Sequence, residues 1–183
     1  MDSKTIDTMP IIDIWAKTFQ ICWVTNDLDR AMKELKEKFD IPKFLVIRDV
    51  SFDETLYKGK VEEEYRVDAA WANGDNFNLE LVQPLEGFPV DLYGAQLPKD
   101  SYSLQFHHMG VRFDNDLEGY ESAVASLKAK GFEQVVDSGI TGISKFSYFD
   151  MRDLLGHYLE VIWFNQEGVD FMSKLVTGDF DGE

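Results

Sequence analysis

Four polar side chains at matching places in the two halves of the chain could together hold a divalent metal ion. Gln20 and His108 lie near the start of two similar stretches, and Glu80 and Glu160 lie in the apolar segments that end them. A carboxylate in the middle of an apolar strand is costly to bury unless a cation or a hydrogen bond compensates it. One imidazole, two carboxylates and an amide oxygen suit ions such as Zn²⁺, Ni²⁺, Co²⁺, Fe²⁺ or Mn²⁺.

The elements that carry these residues occur in the same order twice: a strand, a helix and three further strands. In the first half the helix begins at Asn26 or Asp27, which are good caps, and an Asn-Gly turn precedes the last strand. In the second half the helix begins at Asp116 and ends at Lys130-Gly131. The two halves match both at the helix start and in the last strand, which indicates a duplicated supersecondary structure. The predicted strands are residues 19–24, 43–50, 64–71 and 76–82, then 106–113, 133–137, 144–151 and 158–164.

The alternation of side chains along a strand decides which residues share a face with the candidate ligands. Gln20 shares its face with Cys22, and His108 shares its face with Arg112. His107 has the opposite parity and is expected to face away from the site. Apolar residues of that opposite parity are expected to lie beneath the helices, and they are Ile21, Trp23, Met109, Val111 and Phe113.

The composition is that of an ordinary globular protein, with 183 residues, of which 44% are hydrophobic and 28% charged. The stretches 51–63 and 84–104 show no clear period, and their contribution to a site stays open. The predicted organisation is an extension, a first module, a linker, a second module and a tail, at residues 1–17, 18–84, 85–104, 105–165 and 166–183.

The formal charge of −16 argues against nucleic acid and anionic membranes as partners, since both select basic proteins. One cysteine excludes an intrachain disulfide. The first residues are acidic and lack a long apolar run, which is not typical of a signal peptide or an anchor. The expected location is therefore the cytoplasm.

The motifs at these positions resemble those of the vicinal oxygen chelate superfamily, which includes glyoxalase I, methylmalonyl-CoA epimerase, extradiol dioxygenases and bleomycin-binding proteins. The resemblance rests on Gln20, residues 80–84 (ELVQP), His108 and residues 156–161 (GHYLEV), and it covers residues 18–165. It implies an α+β fold in which two βαβββ modules form a curved, partly closed mixed sheet around a cavity, with helices outside. In this family the metal ligands lie on the first and last strands of each module.

Carried over, those ligand positions fall on Gln20, Glu80, His108 and Glu160, a set similar to that of eukaryotic-type glyoxalase I. The epimerases differ mainly in using His and Gln in the first module. The resemblance implies a metal-dependent isomerase, epimerase or lyase that stabilises an enolate or enediolate of a small carbonyl substrate. Glu160 is then the first choice for the base and Glu80 its partner. The candidates for contacting substrate are Arg112, Cys22 and Asn78.

Two departures from the family pattern leave the substrate open. Residues 153–156 (DLLG) replace an Asp-Pro-Asp-Gly loop, and the arginine segments with which glyoxalase I binds glutathione are not recognisable. One alternative is a metal-free protein that sequesters an apolar small molecule. An extradiol dioxygenase comes third, because His157 also has the wrong parity and a single well-placed histidine disfavours its ligand triad. A homodimer is an expected assembly, and whether the modules pair within one chain stays open.

Overall fold

Strands of both halves join one mixed sheet in the structure, a computed structural model that describes residues 8–51, 54–62, 65–74 and 77–177. The strands are β1 Thr18–Thr25, β2 Leu45–Val50, β3 Glu54–Tyr57, β4 Lys60–Glu62, β5 Tyr65–Gly74, β6 Phe77–Gly87, β7 Leu104–Asp114, β8 Glu133–Ile140, β9 Ser144–Asp150 and β10 Tyr158–Phe164. The helices are α1 Ile11–Trp15, α2 Leu28–Phe39, α3 Pro89–Leu92, α4 Leu117–Ala129, α5 Arg152–Leu155 and α6 Gln166–Thr177.

The two halves pair within one chain through their first strands. The sheet order is β2-β5-β6-β1-β7-β10-β9-β8-β3-β4, with β1 antiparallel to β7 at the centre. Each first strand is also parallel to the last strand of its own half, β1 to β6 and β7 to β10. The four strands that carry the candidate ligands are therefore neighbours, about 4.8 Å apart.

Helix starts and buried faces follow the predicted pattern. The side chain of Asp27 accepts a hydrogen bond from the backbone N–H of Arg30 at 3.0 Å, and that of Asp116 accepts one from Gly119 at 2.8 Å. Each satisfies a backbone donor that the first turn leaves unpaired. The apolar faces of α2 and α4 cover the outer side of the sheet, where α2 packs near Trp23 and α4 packs near Val111 and Phe113. This confirms the predicted α+β fold, with these two helices outside the sheet.

The stretch 51–63, which showed no period, contains a strand hairpin. β3 and β4 pair with each other, and β3 also pairs with β8. Because β2 is at the opposite edge of the sheet and β3 follows it closely in the chain, the sheet must curve so that its two ends approach. Residues 52, 53, 63 and 64 lie outside the described residues, as do 75 and 76 of the predicted Asn-Gly turn.

The stretch 85–104, predicted as a linker, contributes to the inner core. β6 runs on to Gly87, and the short helix α3 follows. Phe88, Leu92 and Tyr93 are buried there against residues of both halves. The predicted tail contains the helix α6, which contacts β5 and β10. No helix in the described part of the chain is long and apolar enough to cross a bilayer.

Candidate metal site

The four candidate ligands converge on one point of the inner face. Nε2 of His108 lies 3.4 Å from Oε2 of Glu80 and 3.4 Å from Oε2 of Glu160. The amide nitrogen of Gln20 lies 2.8 Å from Oε2 of Glu80 and 3.5 Å from Nε2 of His108. Side chains from β1, β6, β7 and β10 thus meet although they are far apart in sequence. That they bind a metal ion stays a prediction.

A glycine at the centre of the sheet leaves room for this cluster. Gly110 pairs with Gln20 on one side and with Glu160 on the other. A Cβ atom at this position would lie 3.0 Å from Cβ of Gln20 and 3.4 Å from Oε2 of Glu160. Gly110 therefore allows the two side chains to approach each other across its backbone.

The charge balance of the cluster fits a divalent cation. Burial by itself lowers the pKa of His108, but its hydrogen bonds to Glu160 and Glu80 outweigh burial and raise that pKa to about 9. With a proton on His108, two buried carboxylates face one positive charge. A divalent ion bound by a neutral His108 balances both carboxylates, and ligand histidines must lose their proton to bind. The ligand atoms and the charge of the cluster therefore fit the divalent cation that the residue types indicate.

Glu80 is held by more partners than Glu160. Besides the Gln20 contact, the indole N–H of Trp71 donates to Oε1 of Glu80 at 2.9 Å. Among the described residues, the polar side chain in contact with Glu160 is His108 alone. The two carboxylates are therefore unequal, since both oxygens of Glu80 have hydrogen-bond partners whereas Glu160 has the single contact with His108.

His107 lies outside the cavity, as expected, but on the inner side of the sheet and not on the outer side that its strand parity predicted. Cys22 pairs with His108 and Trp23 pairs with Phe106, so His107 is the extra residue of a β-bulge. A bulge breaks the alternation of side chains, and His107 consequently turns to the inner face. It is buried there, with its ring 4.7 Å from that of Tyr93.

The bulge sets the tautomer of His108. Nε2 of His107 lies 3.2 Å from the backbone oxygen of Leu92, to which it can only donate. Burial and the neighbouring His108 lower the pKa of His107, so it is neutral and its Nδ1 is an acceptor. Nδ1 of His108, 3.0 Å away, must then be the donor, which leaves Nε2 of His108 facing the carboxylates. Metal-ligating histidines commonly have such a partner on their other nitrogen.

Cys22 lies behind the cluster. It is fully buried, and its sulfur lies within 4.8 Å of ligand atoms of Glu80 and His108. Burial and the charge of Glu80 raise the pKa of the thiol, which therefore keeps its proton in the absence of an ion. Cys22 is not among the residues that line the adjoining cavity, so the structure places it beside the ligands rather than in contact with a substrate.

Arg112 and Asn78 do not lie with the cluster, although they share its strands. Both line a separate pocket near the start of β1. Arg112 forms an ion pair with Asp114 at 3.0 Å and lies over the ring of Phe19. The amide of Asn78 donates to Asn73 at 2.6 Å. His157 is on the outer side of the sheet near Trp15, as its parity predicted.

Three tyrosines beside the cluster were missed at the sequence level. The hydroxyls of Tyr65 and Tyr93 lie 3.1 Å apart, and the hydroxyl of Tyr93 donates to that of Tyr148 at 3.1 Å. The ring of Tyr148 is 4.9 Å from that of His108. Burial raises the pKa of all three, so they stay protonated. Strand parity could have indicated Tyr148, whereas Tyr93 follows α3 and carries no such signal.

A cavity of about 360 Å³ opens above the cluster. Gln20, Glu80 and Glu160 form part of its wall, together with the three tyrosines. Phe171 and Met172 of α6 also contribute, so this helix borders the cavity where it spans β5 and β10. The remaining apolar wall comes from both halves of the sheet and includes Ile47, Val50, Val67, Ala69, Phe146, Ile162 and Phe164.

The comparisons with solved structures identify proteins of similar fold. Methylmalonyl-CoA epimerase from Mycobacterium tuberculosis matches with a TM-score of 0.58 and 13% identity, over 93% of this chain and 97% of that one. A variant of the Streptomyces coelicolor epimerase in complex with 2-nitronate-propionyl-CoA matches with a TM-score of 0.54 and 15% identity, over 81% and 94%. A hypothetical protein from Bacillus halodurans C-125 matches at 0.52 and 12%, over 80% and 93%. At these identities the likeness is one of fold.

A search of curated protein sequences finds no match. A family model does match, that of the Glyoxalase/Bleomycin resistance protein/Dioxygenase superfamily, over residues 19–147. This span includes nearly all of β1, all of β7, α2, α4 and most of the sheet but ends before β10, and it confirms the resemblance to the superfamily. The chain therefore belongs to the Glyoxalase/Bleomycin resistance protein/Dioxygenase superfamily, that is, to the vicinal oxygen chelate proteins.

Proposed function

We propose that this protein is a divalent-metal-dependent enzyme that moves a proton at a carbon next to a carbonyl group, as an isomerase, an epimerase or a lyase. The observation that carries the proposal is the convergence of Gln20, Glu80, His108 and Glu160 on one point at the wall of a cavity. Two carboxylates beside one imidazole supply both a binding site for the ion and a base. The expected partner is a small molecule.

The four side chains would hold the ion, which would act as a Lewis acid on the substrate carbonyl and so lower the energy of an enolate. Gln20 would present its amide oxygen, since rotation of the amide exchanges oxygen and nitrogen at one place. His108 is already oriented with Nε2 towards the carboxylates. Glu160, which has fewer partners than Glu80, would accept the proton from carbon, and Glu80 would stay in place.

The experiment has two stages, of which the first is metal binding. Protein stripped of metal is titrated with Ni²⁺, Co²⁺, Zn²⁺, Mn²⁺ and Fe²⁺ under anaerobic conditions, and bound metal is measured by elemental analysis. One equivalent with at least one of these ions is expected. Failure of all five to bind would refute metal dependence.

The second stage is proton exchange. The loaded protein is incubated in D₂O with α-hydroxy ketones and with acyl thioesters, and exchange at the α-carbon is followed by ¹H NMR. A positioned base contributes about 10²–10⁴-fold, so Glu160→Gln is expected to lose that factor. Glu121→Gln, an exposed residue on α4, is the matched control and should exchange at the wild-type rate. Wild-type exchange by Glu160→Gln would refute the role of Glu160.

A second candidate function is a metal-free protein that sequesters a small apolar ligand. It is favoured by the raised pKa of His108, because a protonated imidazole can partly balance the two carboxylates without an ion. The two candidates differ in the metal titration, since only the first requires uptake. A homodimer stays a prediction.

A further inference from the structure

The charged side chains that line the cavity all have one sign. Among the described residues on its wall they are Glu80, Glu160 and Glu167, and no lysine or arginine is present. A bound divalent ion would offset the first two, but Glu167 on α6 would remain negative. A substrate with a carboxylate or phosphate would therefore find no cationic side chain on the described wall of this cavity, and it would meet the like charge of Glu167, which is exposed to solvent.

The wall next to the cluster is apolar. Ile162 follows Glu160 by two residues on β10 and so projects from the same face, and in the register of the sheet it pairs with Phe146 of β9. Both line the cavity. A group that a substrate carries beyond its chelating oxygens therefore has Ile162 and Phe146 as apolar contacts beside the cluster, and Phe171 of α6 lines the same cavity.

The tyrosines offer a hydrogen bond suited to an uncharged acceptor. Because Tyr93 donates its hydroxyl proton to Tyr148, the proton of Tyr148 is not used in that bond. Among the described residues no acceptor for it is found, and the side chain lines the cavity. Tyr148 can thus donate to an oxygen of a ligand.

The size of the cavity limits what it can enclose. Its volume of about 360 Å³ is at the lower end of the roughly 300–1,000 Å³ of ligand pockets. At ~30 Å³ per molecule this is the volume of roughly a dozen waters. The nucleotide of a coenzyme A thioester exceeds this space.

We infer, on the basis of the proposed function, that the substrate is a small oxygen-chelating carbonyl compound whose body is uncharged and apolar, an aryl or branched alkyl group. Its body lies against Phe146, Ile162 and Phe171, and Tyr148 donates to one of its oxygens. Thioesters that carry phosphates or several carboxylates are not the substrates of this cavity.

Three hydroxamates with the same chelating group test this inference. Benzohydroxamic acid has an apolar body, acetohydroxamic acid has almost none, and 4-carboxybenzohydroxamic acid adds a negative charge to the first. Isothermal titration of the Ni²⁺-loaded protein is expected to show benzohydroxamate binding at least about tenfold more tightly than either of the others, a difference of about 1.4 kcal/mol. Equal binding of all three would overturn the inference.

A positive charge introduced on the wall is expected to increase the binding of an anionic ligand, a gain that misfolding cannot mimic. Phe171 is 46% exposed, so Phe171→Lys is compatible with the fold. This variant is expected to bind 4-carboxybenzohydroxamate at least about tenfold better than the wild type and benzohydroxamate more weakly. Leu154→Lys, at a position 71% exposed on α5 and outside the cavity, changes the net charge equally and should keep wild-type preferences. The same gain in both variants would contradict the assignment of the wall.

A titration of the metal-free protein separates this inference from the proposed function. Isothermal titration with 2-naphthol and 2-naphthoate compares an uncharged and a charged aromatic body without any ion. Preference for naphthol by about tenfold or more is expected, and Tyr148→Phe should weaken its binding about threefold to tenfold. Tyr120→Phe, whose hydroxyl contacts Ser147, is the matched control.

Failure of the proposed function and failure of the inference about the substrate give different results. If no metal binds but naphthol is preferred, the proposed enzyme function fails and the inferred cavity chemistry stands. If metal binds but the hydroxamates and naphthalenes bind without preference, the inference fails and metal binding stands.

Discussion

Replacement of His107 by phenylalanine is the sharpest test of how the bulge prepares His108 for a metal ion. In the wild type, His107 accepts a hydrogen bond from Nδ1 of His108 at 3.0 Å and donates to Leu92 at 3.2 Å. Phenylalanine keeps the ring that packs on Tyr93 and Tyr158, but it removes both polar contacts. In the variant, a neutral His108 would therefore carry its proton on Nε2, where the carboxylates accept it.

The size of the effect follows from where that proton must go. To bind an ion through Nε2, His108 of the variant has to move its proton to Nδ1, which would face the phenylalanine ring without an acceptor. A buried donor without a partner costs about 1–3 kcal/mol. Since 1.4 kcal/mol corresponds to a factor of ten, metal affinity should fall about 5-fold to 150-fold.

The assay is a competition titration of metal-stripped protein with Ni²⁺ against a chelator of known affinity, at a pH above the His108 pKa of about 9, so that His108 is neutral before the ion binds. His107→Asn is the matched variant, because its side-chain oxygen can replace Nδ1 as the acceptor while the bond to Leu92 is lost. We expect the Ni²⁺ affinity of His107→Asn to lie within about threefold of that of the wild type. This difference is no larger than the contribution of one neutral hydrogen bond. A folded His107→Phe with wild-type affinity would refute the tautomer argument, and so would equal losses in both variants.

Three further outcomes are expected. Gly110→Ala should weaken Ni²⁺ binding by about 1–3 kcal/mol, because the added Cβ would lie 3.0 Å from Cβ of Gln20 and displace that ligand; unchanged affinity in the same titration would contradict this. Trp71→Phe should lower the free energy of unfolding of the metal-free protein in urea by about 1.5–3 kcal/mol, because it removes a hydrogen bond to the carboxylate of Glu80. Trp163→Phe, whose indole N–H has no partner among the described residues, is the control and should change stability less. Removal of metal by EDTA, from an excess of about 100 Kd, should cost about 2.7 kcal/mol and lower Tm by roughly 5–11 °C, whereas an unchanged Tm would show that no ion was bound.

The secondary structure and the fold class were accessible from the sequence because they depend on local signals. Asp27 and Asp116 cap their helices as predicted, and each predicted strand is present, although β6 and β8 run further than expected. The hairpin of β3 and β4 escaped prediction because its main partner, β8, comes from the other half. The same holds for residues 88–93, whose burial depends on strands distant in sequence.

The same distinction between local signals and contacts distant in sequence applies to the candidate site. Residue types and strand parity identified Gln20, Glu80, His108 and Glu160, because two copies of one unit place equivalent side chains on equivalent strands. Tertiary structure alone decided that these strands are neighbours, through the pairing of β1 with β7. It also decided the bulge that turns His107 inward, since a bulge arises from the register between two strands and not from either sequence. The acidic and apolar character of the cavity has the same origin, because its wall combines β2, β5, β9, β10 and α6, which only the folded chain brings together.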